Sequence, residues 1–265
     1  MGAESAYLHG TSPAEQGRLS LLNRLMNEAA MRELAIAKGD LIVDFGCGLG
    51  QLSLDMARAA GTRLVGVERS EEQLARAERH PLLDLRMGDV SDPPLRDHEW
   101  GSFDLAHARF VLEHVREPLA VVRHMVRAVR PGGRIVLQDD DHDVFRCWPE
   151  PAGFTPLWKA FQRTYDRLGC DPYIGRRLVS LLHDAGAAPV RSTWIYFGSC
   201  AAEPKWSGFV ENIHSQLAGA REAMAEGGLL GAAEIDAALG AFREWAHRPE
   251  AAIWYAICWA EGVRR

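Results

Sequence analysis

Residues 41–50, LIVDFGCGLG, carry the reading on which the fold rests. The continuous apolar run at 41–46 has the composition of a strand buried on both faces of a parallel sheet. Glycines at 46, 48 and 50 then turn the chain sharply, and a helix is predicted from about 50 to 60, ending at Gly61. Upstream, S-P-A-E at 12–15 is a capping box with Pro13 at the first helical position. Leu19, Leu22, Met26, Ala29 and Leu34 continue it as an amphipathic helix over about 13–37, stopped by Gly39. Downstream, RLVGVE at 63–68 is a second strand, and Ser70 with Gln73 caps a helix reaching about His80. LLDLRMGD supplies a third strand, SFDLAHA at 102–108 a fourth, 118–130 a helix, and RIVLQ after the PGG turn at 131–133 a fifth strand. Strands alternating with helices mean right-handed βαβ crossovers and an α/β, doubly wound, mostly parallel sheet.

After Gln138 the rhythm breaks. Residues 143–156 hold three prolines without a clean period, 157–169 and 174–186 read as helices, and 192–198 and 251–260 as two last strands. Two helical patterns, Trp206 to Met224 and Ile235 to Trp245, fill the interval between those strands. The chain therefore reads as one domain over 1–265: an N-terminal helical segment (1–40), a cofactor-binding core (41–140) and helical cap insertions at 143–173 and 199–250. The cap is expected over the carboxyl ends of the strands.

The 265 residues are 47% apolar and 25% charged, which excludes fibrous and disordered chains. A net charge of −6 disfavours nucleic acid and acidic membranes as partners. Five scattered cysteines without a CxxC pair fit a reducing compartment, and the opening residues lack a signal-peptide pattern, so a cytoplasmic protein is expected.

The glycine loop follows a strand and opens a helix, where unpaired N–H groups and the missing Cβ atoms let a ligand approach. Its GxGxG spacing departs from the nicotinamide GxGxxG, residue 51 being Gln, and the GK[ST] of a P-loop is absent. Glu68 ends the second strand 20 residues after Gly48, where an acid accepts from ribose hydroxyls. Asp89 in GDV at 88–90 is either an adenine contact, with the Val90 N–H beside it, or an ordinary turn.

Together VDFGCGLG, VGVERS, MGDV, FDLAHARFVLEHV and RAVRPGGRIVL resemble the class I S-adenosylmethionine-dependent methyltransferases, in particular the UbiE-like small-molecule group (methyltransferase type 11). The resemblance covers about residues 38–140 and is specific for fold and cofactor, not for substrate. It implies a Rossmann-like seven-stranded sheet in which 251–260 inserts antiparallel beside the fifth strand. The implied cofactor, S-adenosyl-L-methionine, meets Gly46, Gly48 and Gly50 through its methionine part and Glu68 through its ribose. Arg69 and Val90 flank the adenine, and Asp89 meets its amino group. Asp44 and Cys47 belong to the same loop, Cys47 as filler without thiol chemistry. The opening YLHGTSPAEQGRL is similar to one in which a tyrosine and an arginine hold the cofactor carboxylate, which would be Tyr7 and Arg18. Arg109, just past the fourth strand, is the better-placed candidate for that carboxylate or for the substrate.

Methyl transfer needs alignment, exclusion of water and, for a hydroxyl or amine, a proton acceptor. His114 at the start of the post-strand-four helix is one candidate, either catalytic or merely packed there. Asp140 and His142 in DDDHD at 139–143 are others, either a base or substrate contact or a solvated acidic turn. No metal is expected, since consecutive residues of an extended chain cannot all face one ion. Seven of eight tryptophans follow residue 147, and Trp148, Trp158, Trp206 and Phe209 are candidates for an apolar substrate pocket in the cap. The expected function is methyl transfer at O, N or C of a small or medium apolar or aromatic metabolite. The alternative is a protein of the same fold that binds the cofactor without transferring its methyl group, as a regulator or a non-methylating enzyme. A homodimer is compatible with either, the lid helices being the elements that would pair.

Overall fold

A computed structural model describes residues 13–265, with side chains from residue 17 onward. Tyr7 and the Ser12 start of the capping box lie outside the described residues. In chain order the elements are α1 (Pro13–Leu34), β1 (Ile42–Phe45), α2 (Gln51–Ala60), β2 (Leu64–Glu68), α3 (Glu71–Arg76), β3 (Leu83–Met87), β4 (Phe103–Arg109), α4 (Pro118–Ala128) and β5 (Val129–Asp139). There follow β6 (Arg146–Trp148), α5 (Phe154–Arg163), α6 (Leu178–Asp184), β7 (Ala187–Tyr196), β8 (Ser199–Cys200), α7 (Trp206–Gly219), α8 (Arg221–Glu226), α9 (Ala232–Trp245), β9 (Ala252–Trp254) and β10 (Ala256–Arg264).

Seven strands form one sheet in the order β3-β2-β1-β4-β5-β10-β7. The first five pair in parallel, and β10 inserts antiparallel between β5 and β7. All residues of β1 and β2 are buried, as an apolar run covered on both faces requires. Met26, Leu34, Ile42 and Leu105 share one hydrophobic cluster with the cap residues Phe161, Ile213 and Phe242, while Val43, Val122, Ile135 and Leu178 form a second. The cap thus packs as a continuation of the helical layer and buries large rings of its own.

Several features depart from the expectations. The 251–260 run divides at Tyr255: β9 leaves the main sheet to pair with β6 and β8 in a three-stranded sheet of its own, and only β10 joins β5. The PGG turn falls inside β5, where pairing with β4 shifts register between Phe103 and Leu105. The cap Ser70 Oγ accepts from Gln73 N at 3.1 Å, as its spacing predicts, but α3 stops at Arg76, short of His80.

Candidate functional site

The loop after β1 is built around left-handed backbone. Gly46, Gly48 and Gly50 have φ of 74°, 56° and 71°, a region costly for any residue with a Cβ. A Cβ at Gly46 would lie 2.4 Å from Val111 Cγ2, so the loop also needs glycine for space. Gly46 N and Cys47 N donate to Val67 O at 2.8 and 3.0 Å, tying the loop to β2. That brings Gly48 N to Glu68 Oε2 at 3.0 Å, while Ser70 N donates to Oε1 at 2.9 Å. Burial raises the Glu68 carboxyl above the usual glutamate range, partly offset by these backbone donors.

The loop, the end of β2 and the GDV turn enclose a groove of about 500 Å³. Asp44, Gly46, Cys47, Gly48, Glu68, Arg69, Asp89, Val90, Arg109 and His114 all line it. Gly50 does not: it is the N-cap of α2, packed behind the loop within 3.3 Å of Leu85 through any added Cβ. Asp89 Oδ1 accepts from Ser91 N and Oγ at 2.8 and 2.7 Å, forming the ordinary turn and presenting its carboxyl to the groove together.

At the other end of the groove Arg109 is inside the protein, its Nη2 donating to Asn23 Oδ1 at 2.5 Å and Asn27 Oδ1 at 3.1 Å. Its Nη1 has no hydrogen-bond partner. Burial pulls its pKa down to about 10 against the nearby Asp44 and Asp55 charges, which raise it. Asp44 is fixed by Ser53 Oγ at 2.5 Å and His107 Nδ1 at 2.8 Å, and His107 Nε2 lies 2.8 Å from Gln138 Nε2. One proton arrangement satisfies the row: His107 donates from Nδ1 to Asp44 and accepts at Nε2 from Gln138. The groove therefore offers a hydroxyl-accepting carboxylate at one end and a cation beside an anion at the other. A nucleoside joined to an amino acid presents the complementary groups, so the residues fit S-adenosylmethionine.

Beyond the end of β5 lies a cluster of ionisable groups. Asp139 Oδ2 accepts from Val111 N and Leu112 N at 3.2 and 2.8 Å, anchoring the chain after β4. Burial, then Glu113 and Asp140, push its carboxyl well above the normal aspartate range. Burial and Glu113 push Asp140 up to about 7, although His142, Tyr255 and Arg18 pull it down. His142 Nε2 lies 3.1 Å from Glu113 Oε2 and 3.7 Å from Asp140 Oδ2. Burial alone would lower the His142 pKa, but these carboxylates outweigh it and raise it. His114 moves the other way, lowered by burial more than Glu113 raises it, which leaves a neutral imidazole at pH 7. Glu113, Asp140 and His142 bring potential metal-ligand atoms within 4.8 Å of one another, a grouping from two segments that the consecutive run 139–143 does not foretell.

The other candidates are placed elsewhere. Arg18 is away from the groove, where its Nη1 donates to Asn212 Oδ1 of α7 at 3.1 Å. Trp148 is 71% exposed on β6. Trp158 stacks on Phe145 at 4.4 Å, Phe209 packs on Phe197 at 4.6 Å, and Trp206 donates to Ala246 O at 2.8 Å, all within the core. None of the four rings lines the groove. Glu113, Tyr255, Asn212 and His107, none of them read from the sequence as site residues, are the polar groups that surround the site instead. Asn23 and Asn27, one helical turn apart on α1, are the sole local hint of the Arg109 contact.

Residues 43–137 match the family model described as a methyltransferase domain. The chain is 32% identical over 193 residues to an uncharacterized 37.1 kDa protein in transposon TN4556 of Streptomyces fradiae, covering 70% of this chain and 54% of that one. It therefore spans about half the length of that relative. It is 27% identical over 257 residues to the 27-O-demethylrifamycin SV methyltransferase of Amycolatopsis mediterranei (strain S699), covering 91% and 85%. Geranyl diphosphate C-methyltransferase from Streptomyces coelicolor A3(2), solved with Mg2+, geranyl diphosphate and S-adenosyl-L-homocysteine, shares the fold with a TM-score of 0.55 and 16% identity, over 92% of this chain and 80% of that one.

Proposed function

We propose that the chain, whose residues 43–137 match a methyltransferase domain, is a class I S-adenosylmethionine-dependent methyltransferase and that it methylates a small or medium apolar or aromatic metabolite. The observation that carries this reading is the groove itself: Glu68 held at one end by Gly48 and Ser70, and Arg109 with an open guanidinium nitrogen at the other. When bound, S-adenosylmethionine supplies a methyl group on a cationic sulfur, already electrophilic. The protein's own part is to hold the donor's ribose at Glu68, its adenine near Asp89 and Val90, and its carboxylate at Arg109. His114 and Asp140, which line the cavities, are the groups available to receive a proton, whereas His142 is fully buried behind them against Glu113 and lines neither cavity. Five free cysteines and the net charge of −6 support a cytoplasmic setting in small-molecule metabolism, with neither nucleic acid nor a membrane as partner. Among the described residues no helix is long and apolar enough to cross a membrane. Light scattering on the purified chain reads whether copies pair as a homodimer.

The test is calorimetry followed by transfer. S-adenosylhomocysteine is expected to bind at micromolar or tighter affinity and NAD not at all, and label from methyl-tritiated donor should enter a fraction of a metabolite extract. Binding without transfer to any fraction removes the enzymatic reading. Arg109→Leu is expected to lose about tenfold in affinity for S-adenosylhomocysteine, one charge-assisted contact, while affinity for adenosine stays at the parental value. Equal losses for both ligands would put Arg109 away from the amino-acid end.

A further inference from the structure

A smaller cavity among the described residues bears on which atom would be methylated, an inference that rests on the methyl-transfer reading. It measures about 40 Å³ and adjoins the groove, for Leu19, Leu22, Phe110 and His114 line both. Asp140 and Tyr255 line it as well. Asp140 is 7% and Tyr255 5% exposed, yet Asp140 Oδ1 and Tyr255 Oη have no hydrogen-bond partner. The two side chains are close enough to act on each other's titration as hydrogen-bond partners, Tyr255 towards Asp140, but the contact falls short of normal hydrogen-bond geometry and leaves both atoms unsatisfied. A buried polar atom left unpaired is costly, and folded proteins keep few of them.

The two atoms differ in what they need. Burial, followed by the Asp140 charge, keeps the Tyr255 phenol well above its ordinary range, so it remains an O–H donor. Asp140 in its ionised form only accepts. A ligand that satisfies both must accept one hydrogen bond and donate another at the same place, between walls where the apolar Phe197, Ile213 and Ile257 alternate with the polar Arg18, Glu113 and Asn212. A hydroxyl does this with one atom; a carbon nucleophile does neither, an aliphatic amine is protonated at neutral pH and only donates, and an aryl amine accepts poorly because its lone pair is delocalised into the ring.

We propose that the methyl acceptor is a hydroxyl carried on an apolar frame, its oxygen seated between Tyr255 Oη and Asp140 Oδ1. The lone pair of that oxygen forms the bond to the methyl carbon as the carbon–sulfur bond breaks towards sulfur, and the hydroxyl proton passes to Asp140. Tyr255 holds the oxygen and gives up no proton. At about 40 Å³ the cavity admits only the hydroxyl-bearing edge, and the Arg18–Asn212 hydrogen bond bounds it where α1 meets α7.

The probes are 2-naphthol and 2-methylnaphthalene, nearly the same in shape, titrated into the full chain saturated with S-adenosylhomocysteine. Failure of the saturating ligand to bind removes the methyl-transfer reading and is seen before either probe is added. The expected result is that 2-naphthol binds about 10- to 100-fold more tightly than 2-methylnaphthalene, and that Tyr255→Phe, with an unchanged melting profile, erases most of this ratio. With labelled donor the product is the methyl ether, and Asp140→Asn keeps the binding ratio but loses transfer. Equal affinities, no binding of either probe, or a ratio that survives Tyr255→Phe overturns the proposal. So does a ratio that a chelator abolishes and Mg2+ or Zn2+ restores, which would seat an ion on Glu113, Asp140 and His142 instead.

Discussion

Glu68→Ala is expected to weaken S-adenosylhomocysteine binding by about 100-fold or more, while the unliganded chain melts close to the parental temperature. The size follows from two charge-assisted hydrogen bonds to ribose hydroxyls, each worth about 1.5 kcal/mol or more. Stability changes little because the groups released, Gly48 N and Ser70 N, lie at the groove, where water replaces the carboxylate. Glu68→Gln loses less, about tenfold, since its amide oxygen still accepts one bond while its NH2 opposes a donor. A pH titration separates charge from shape. Burial raises the Glu68 carboxyl, and the ligand needs the ionised form, so parental affinity should fall on acidification from above the ordinary glutamate range. The Glu68→Gln trace should be flat there. Calorimetry of the three proteins gives both readouts, and parental affinity in Glu68→Ala at neutral pH would remove the ribose from this site.

The cofactor half is legible in the sequence for identifiable reasons. Its first two strands are mostly apolar because both faces are covered, its loop glycines adopt positive φ, and Glu68 ends the strand whose Val67 carbonyl anchors the loop. All three are local signals within some twenty-five residues. The cap offers no such locality. Strands of three, two and three residues in β6, β8 and β9 are too short to show a period. Trp158, Trp206 and Phe209 have the chemistry of a ring-lined pocket, and only packing shows that other rings of the cap already cover them. Tyr255 reads as one apolar residue in a strand; its role depends on the chain breaking there between β9 and β10, which places it against Asp140, 115 positions earlier. Arg109, at a strand end, reads as the better-placed carboxylate ligand, and Arg18 rests only on its likeness to an N-terminal opening. The difference between them is which cavity each helix or strand end delivers them to.

Asp140→Asn is expected to raise stability above pH 7 while lowering methyl transfer by about 100-fold or more, the usual scale of a lost proton acceptor. Burial and the Glu113 charge push the Asp140 carboxyl up to about 7, despite opposing pulls from His142, Tyr255 and Arg18. Between about pH 4, where the unfolded chain releases this proton, and pH 7, where the folded chain does, the folded state binds more protons. Its stability therefore falls as pH rises through that window, and the whole deficit is present above it. The amide introduced by Asp140→Asn carries no charge to repel Glu113, so the variant should exceed the parent by about 1–3 kcal/mol at pH 8 and converge with it near pH 4. Part of the slope should survive in the variant, because burial raises Asp139 as well. Urea unfolding at both pH values decides the matter. A variant less stable than the parent at pH 8 would mean that the carboxylate holds the fold through His142 and Tyr255. A more stable but inactive one identifies it as a charge kept for chemistry against the interest of the fold.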